Sequence, residues 1–180
     1  MNSMIKAGIL TASDRCFRGE RRDESGMLLK SLVETLSMEV VAYRVFPDDE
    51  AVLKKALCHM ADHLNCHIVL TTGGTGLGPR DHTPEATKAV MEKEVPGLAE
   101  AIRQQSIQQT PFAMLSRAVA GIRGRTLMIN LPGSPGAVRE AFDIIKPVLY
   151  HAAELIKGEV TDCHTSIRMS FEHSLKHASS

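Results

Sequence analysis

Neither sign of charge is in excess in this sequence: 21 Lys plus Arg stand against 21 Asp plus Glu over 180 residues. With no net field to recruit nucleic acid or an anionic membrane, any phosphate site must be local and built from particular side chains. Long apolar runs are missing too. No stretch approaches the roughly 18 to 20 residues of a membrane span, and the first residues, Met1 to Lys6, carry no apolar segment of the signal-peptide kind. The expectation is a cytoplasmic protein that binds neither membrane nor nucleic acid. Paired cysteine motifs are also lacking: Cys16, Cys58, Cys66 and Cys163 form no C-x-x-C. A chain of this size with 43% hydrophobic residues can build a core without disulfide staples, so reduced thiols are expected. Its length is near the ~150-residue prior for one domain.

What is present is an alternation of strand and helix patterns. Residues 5–11 form a short apolar run ending in Ser13 and Asp14, which reads as a buried strand opening into a loop. Residues 25–36 repeat apolar side chains at helical spacing. Residues 38–46 read as the next strand, ended by Pro47-Asp48-Asp49, and 51–64 as a helix whose start is capped by one of the two aspartates. Residues 67–72 (HIVLTT) are the most clearly buried strand. A helix is expected from Thr83-Pro84-Glu85, with Thr83 as N-cap, interrupted at 95–97 and resumed toward 105. Residues 106–116 read as a loop, and 117–122 with 125–130 as a hairpin around Gly124. Leu131 to Gly136 is a turn in which Ser134 caps a helix over 137–157 that Pro147 should break or kink. The expected fold is α/β with a largely parallel sheet, one domain over 1–158. Beyond it, 159–180 is read as a loosely held polar tail whose His164, His173 and His177 are solvated.

In an open parallel sheet, ligands sit at the carboxyl ends of the strands. Four strand-end loops should therefore converge: Thr11 to Asp14, Pro47 to Asp49, Thr71 to Asp81, and Pro132 to Ser134. Gly73, Gly74, Gly76 and Gly78 let the backbone take positive φ and present N–H groups to an anion. The spacing is neither that of a Walker A loop nor that of a dinucleotide fingerprint. The hydroxyls of Thr71, Thr72 and Thr75, with Arg80, favour oxyanion binding over an empty turn. Asp81 is either a carboxylate favoured by a helix start or a holder of Mg²⁺ beside bound phosphates. Asp48 and Asp49 face the same alternative, and only one of them is needed as a cap. Ser13 and Asp14 could grip a polar heterocycle or form an ordinary turn, and Ser116 is equally open. His59, His63 and His67 share i, i+4 spacing near Cys58 and Cys66, but the short ligand spacings of structural zinc are absent, and the stretch reads as a solvated helix end. Nothing resembles a Ser-His-Asp or Cys-His nucleophile pair.

Taken together, Thr-Ala-Ser-Asp after the first strand, Asp-Glu-Ser-Gly at 23–26, Pro-Asp after the second strand, T-T-G-G-T-G-x-G-P-R-D-x-T-P-E-A-T at 71–87, M-L-S-R at 114–117 and I-N-L-P-G-S-P at 129–135 closely resemble the molybdopterin-binding family that includes MogA, MoaB and the gephyrin G domain. The likeness spans about 4–158. It implies a three-layer αβα sandwich, usually a homotrimer, that transfers AMP from Mg-ATP to molybdopterin and releases pyrophosphate, with onward hand-over to a molybdate-insertion enzyme. Carried over by position, it implies Asp48 and Asp81 as the catalytic acids and Mg²⁺ ligands. It places Gly73, Gly74, Thr75 and Gly76 around the phosphates, with Thr11, Ser13, Asp14, Thr72, Arg80, Ser116, Pro132, Gly133 and Ser134 lining the remaining substrate pocket. Two departures stand out: His82, where relatives carry an apolar residue, and Asp49 beside Asp48. The alternative within the family is a MoaB-like trimer that binds molybdopterin or a precursor with weak or no transfer.

Overall fold

The structure, a computed structural model, describes residues 4–158. The readings made of Cys163, His164, His173, His177 and the tail lie outside the described residues. One six-stranded sheet runs through the molecule in the order β2-β1-β3-β6-β5-β4. Its strands are β1 (Lys6–Ala12), β2 (Glu39–Phe46), β3 (Ile68–Thr72), β4 (Lys93–Glu94), β5 (Ala120–Arg123) and β6 (Thr126–Leu131). β2, β1, β3 and β6 are mutually parallel, whereas β5 and β4 close the edge antiparallel. The register pairs Ala12 with Phe46, Thr11 with Thr72, and Thr72 with Leu131. The four parallel strands therefore end level, and their exit loops share one edge.

Side chains alternate between sheet faces with period two, and each face carries its own apolar set. Ala7, Ile9, Ile68, Leu70, Leu127 and Ile129 pack against Leu29 and Val33 of α2 (Glu24–Glu34), Ile102 of α5 (Pro96–Ser106) and Val138, Phe142, Ile145 and Leu149 of α6 (Pro135–Lys157). On the opposite face Leu10, Val69 and Met128 meet Leu53 and Leu57 of α3 (Glu50–Cys58) and Ala86 and Val90 of α4 (Thr83–Val90). The result is the three-layer αβα arrangement that the family resemblance implies.

Several local expectations are corrected. Of the break or kink expected at Pro147 the break does not occur, and α6 runs as one helix of 23 residues; Pro147 and Asp143 both face solvent, so water can satisfy the carbonyl that loses its N–H partner. Thr83 is not a cap but the first residue of α4, because its hydroxyl instead donates to the Gly73 carbonyl at 2.9 Å. α3 stops at Cys58 and widens into a π turn, His59–His63, that still buries Met60 and Ala61. The helix from Thr83 ends at Val90, ahead of the expected break, and the chain adds β4 before α5 starts at Pro96. A four-residue helix, α1 (Asp14–Phe17), and a 3₁₀ turn, Pro111–Leu115, occupy stretches read as loop. The hairpin sits around Gly124 between β5 and β6, starting three residues later than its sequence pattern.

Candidate active site

At the shared edge the glycine turn lies against two neighbouring loops. Gly73 adopts φ 89° and Gly74 φ 64°, backbone that a Cβ would strain. A Cβ on Gly73 would also strike the Ala12 carbonyl oxygen at the end of β1, and one on Gly133 would come within 3.2 Å of Gly73 Cα. The loop after β6 is fastened beside the glycine turn by two hydroxyls: that of Thr72, at the end of β3, donates to Pro132 O at 2.6 Å, and that of Ser25 donates to Gly133 O at 2.7 Å.

Three carboxylates gather beside this turn. Asp14 and Asp48 exchange bonds, the Asp14 N–H donating to Asp48 Oδ2 at 2.8 Å and the Asp48 N–H donating to Asp14 Oδ1 at 3.1 Å. Arg80 donates twice to Asp14, from Nε at 3.0 Å and Nη2 at 2.9 Å. Asp81 folds back over its own turn, accepting from the Gly78 N–H at 2.8 Å; its Oδ2 lies 2.9 Å from where a Cβ would stand on Gly76 or Gly78. Asp48 Oδ1 would be 3.3 Å from a Cβ on Gly74. Asp48 and Asp81 thus flank opposite ends of one glycine turn.

The electrostatics distinguish these groups. Bonding to Arg80 holds the Asp14 carboxyl below the ordinary aspartate range, against a smaller opposing effect of burial. Asp48 is pushed up, first by desolvation and then by the like charges of Asp14 and Asp81, with the Asp14 N–H pulling the other way. Three carboxylates here face one guanidinium, Arg80, and a bound cation would relieve the repulsion that remains. Mg²⁺ takes one or two protein carboxylates and completes its shell with phosphate oxygens and water. Asp48 and Asp81 fit that demand, and among the described residues no set of three or more His, Cys, Asp or Glu side chains forms a metal cage.

On the other side of the turn is a cavity of about 270 Å³. Thr75, Gly76, Ser116 and Pro132 form its wall toward the glycine turn, Phe112 and Leu115 its apolar side, and Arg103 and Glu140 its charged margin. The remaining expected residues fall in two groups. Ser13 caps α1, accepting from the Cys16 N–H at 3.2 Å, and Ser134 caps α6, accepting from the Ala137 N–H at 3.4 Å. Thr11 and Thr72 are buried, and the Thr11 hydroxyl turns inward to donate to Asp23 Oδ2 at 2.7 Å. Asp49 caps α3 through the Val52 N–H at 2.9 Å. Away from the edge, the rings of His59 and His63 stack at 5.2 Å, while His67 Nδ1 accepts from the Lys6 N–H at 2.9 Å.

Two groups of residues escaped the sequence reading. Asp23 caps α2 through the Gly26 N–H at 2.9 Å and accepts from the Tyr43 hydroxyl at 2.6 Å, locking β1, β2 and α2 together. Arg117 grips the glycine turn from the cavity side. Both lie in motifs visible in the sequence, Asp-Glu-Ser-Gly and Met-Leu-Ser-Arg, but their partners are far away along the chain, so only folding shows what they touch.

A family model described as "Probable molybdopterin binding domain" matches residues 8–151. The chain is 44% identical over 158 residues to the molybdenum cofactor synthesis protein cinnamon of Drosophila melanogaster, covering 87% of this chain and 26% of that much longer protein. It is 40% identical over 156 residues to a molybdopterin adenylyltransferase of Helicobacter pylori, covering 86% of this chain and 89% of the relative. Among solved structures it resembles the molybdopterin biosynthesis enzyme MoaB of Thermus thermophilus, with a TM-score of 0.82 at 49% identity, covering 86% of this chain and 98% of the other.

Proposed function

The chain belongs to the molybdopterin-binding domain family, and on that premise we propose that it is a nucleotidyltransferase that moves AMP from Mg-ATP to the phosphate of molybdopterin and releases pyrophosphate. The observation that carries this reading is the placing of Asp48 and Asp81 at the two ends of one glycine turn, beside a cavity of about 270 Å³. That volume is near the lower end of small-ligand sites.

The attacking oxygen belongs to a phosphate monoester, whose second pKa near 6 leaves it largely dianionic at neutral pH. No side chain has to remove a proton, and the difficulty is bringing two anions together. The bond forming is between that oxygen and the α-phosphorus of ATP. The bond breaking joins the α-phosphorus to the oxygen that bridges it to the β-phosphorus, and that oxygen leaves with pyrophosphate. The glycine turn offers backbone N–H groups to phosphate oxygens, Arg80 adds a cation at its far end, and the wall of Thr75, Ser116 and Pro132 orients the body of the substrate. Held by Asp48 and Asp81, Mg²⁺ would supply neutralisation of the triphosphate, in the positioning and electrostatic mode of phosphoryl transfer. The adenylylated product suits hand-over to a molybdate-insertion enzyme. A cytoplasmic homotrimer is the assembly this reading carries; no helix among the described residues is long and apolar enough to cross a membrane.

A second reading is favoured by the 49% identity to a MoaB structure: a protein that binds molybdopterin or a precursor and transfers little or nothing. Pyrophosphate release from Mg-ATP and molybdopterin separates the two. Turnover by the wild-type chain that drops on the order of 10²-fold or more in Asp81→Asn is the expected result for the transferase. Binding of molybdopterin with no pyrophosphate selects the second reading, and full turnover by Asp81→Asn removes Asp81 from the machinery.

A further inference from the structure

Arg117 follows directly on the cavity wall and reaches across to the glycine turn. Leu115 and Ser116 line the cavity. The next residue's N–H donates to Thr75 O at 2.9 Å, its Nε to Gly76 O at 2.7 Å, and its Nη2 to Asp81 O at 2.6 Å. Nη1 pairs with Glu85 Oε1 in the first turn of α4. The backbone N–H thus pins Thr75, while the side chain alone holds the middle of the turn at Gly76, its exit at Asp81 and the helix that follows. The planar guanidinium fork can span separate carbonyls in fixed directions, which the single ammonium of lysine cannot. The Asp81 carboxylate points back into the turn through the Gly78 N–H, so its place depends on where its own backbone is held, and Arg117 holds that backbone. Glu85 in turn orients the fork; its second oxygen, Oε2, is buried without a hydrogen-bond partner among the described residues.

We propose that Arg117 is the positioning residue of this site, fastening the cavity wall at Leu115 and Ser116 to the glycine turn and so fixing Asp81 relative to the occupant of the cavity. Its kinetic consequence rests on the adenylyltransferase reading; its structural consequence does not. The test uses the full chain carrying Arg117→Ala or Arg117→Lys. A misplacement of about 1 Å costs on the order of 10²-fold, so kcat for pyrophosphate release should fall by about that factor in Arg117→Ala. The KM for molybdopterin should stay within about threefold, since the cavity side chains are all retained. Arg117→Lys should recover little of the rate, and ethylguanidinium added to Arg117→Ala should restore part of it. In both variants hydrogen exchange at the amides of Gly78, Asp81 and Thr83 should quicken by roughly tenfold or more, while β1 and β3 keep their protection, as for local rather than global opening. Wild-type exchange at the turn overturns the proposal. So does full kcat in Arg117→Ala, loss of protection across the sheet in both variants, or a defect that ethylguanidinium leaves untouched. Should the wild-type chain itself release no pyrophosphate, the activity reading falls, and the exchange measurement on the two variants decides the proposal alone.

Discussion

Asp48 and Asp49 are adjacent in sequence, yet the Asp49 carboxylate is spent on the Val52 N–H of α3 while Asp48 meets the Asp14 N–H and faces the glycine turn. The raised pKa of Asp48 comes first from desolvation and then from Asp14 and Asp81. An acid with a raised native pKa holds its proton more tightly folded than unfolded, so its ionised form costs stability. That cost is full above the raised native value and vanishes below the ordinary value of 3.8. Asp48→Asn should therefore melt higher than the wild-type protein near pH 7, while losing transfer activity. The gain should shrink as pH falls through the window between the two values. Thermal scans of both proteins across that range check the sign, and a gain that grows toward acid would refute it. Asp14 runs the other way. Its carboxyl is lowered mainly by Arg80, so its contribution is present above the ordinary value and is lost as pH falls through the lowered one. Arg80 is exposed, and screening keeps that contribution small.

At the scale of elements, one buried side chain joins four of them. Asn130 on β6 donates from Nδ2 to the hydroxyl of Thr71 on β3 at 3.0 Å and to that of Thr87 on α4 at 2.9 Å, while its Oδ1 accepts from the Val119 N–H, just ahead of β5, at 3.2 Å. All three polar side chains are fully buried, so nothing replaces these bonds when the amide is removed. Asn130→Ala should destabilise the protein by about 2 to 4 kcal/mol, through stranded polar groups and a small cavity. A free energy of unfolding from urea titration that falls by less than a quarter of that would mean the network is dispensable. The elements also show where local pattern loses to context. The Thr83-Pro84-Glu85 signature does mark the start of α4, but the Thr83 hydroxyl turns to the Gly73 carbonyl, so a residue that local chemistry nominates as a cap serves the glycine turn instead. Proline survives inside α6 because its side of the helix is wet.

For the molecule as a whole, level ends of β2, β1, β3 and β6 place four loops at one edge, and β5 and β4 complete the sheet beyond β6. α6 ends on Gly158 at φ 76°, a left-handed cap whose N–H donates to Leu155 O at 3.0 Å, which gives a physical stop to the helix that packs along one sheet face. We propose that the domain spans 1–158 and that the trimer and the transfer activity reside within it. A chain cut after Gly158 should retain wild-type pyrophosphate release and a light-scattering mass near three times that of its monomer. A monomer that still turns over would separate activity from assembly, and an inactive chain would move the boundary.

By itself the sequence determined most of the order of strands and helices and an α/β class with a largely parallel sheet, because short apolar strand runs, 3.6-period helices and a dense glycine-threonine turn are local signals carried within a few residues; α1 and β4 lay outside them. It also carried a seventeen-residue motif specific enough to point to the family. Tertiary structure alone decided which aspartate is left over after capping, that the Thr11 hydroxyl turns into the core toward Asp23, and that Arg117 clamps a turn some forty residues earlier in the chain. Those outcomes depend on which groups compete for the same N–H or carbonyl once distant segments meet. No local pattern encodes that competition, since its result is set by burial and by the directions in which the folded backbone points its donors and acceptors.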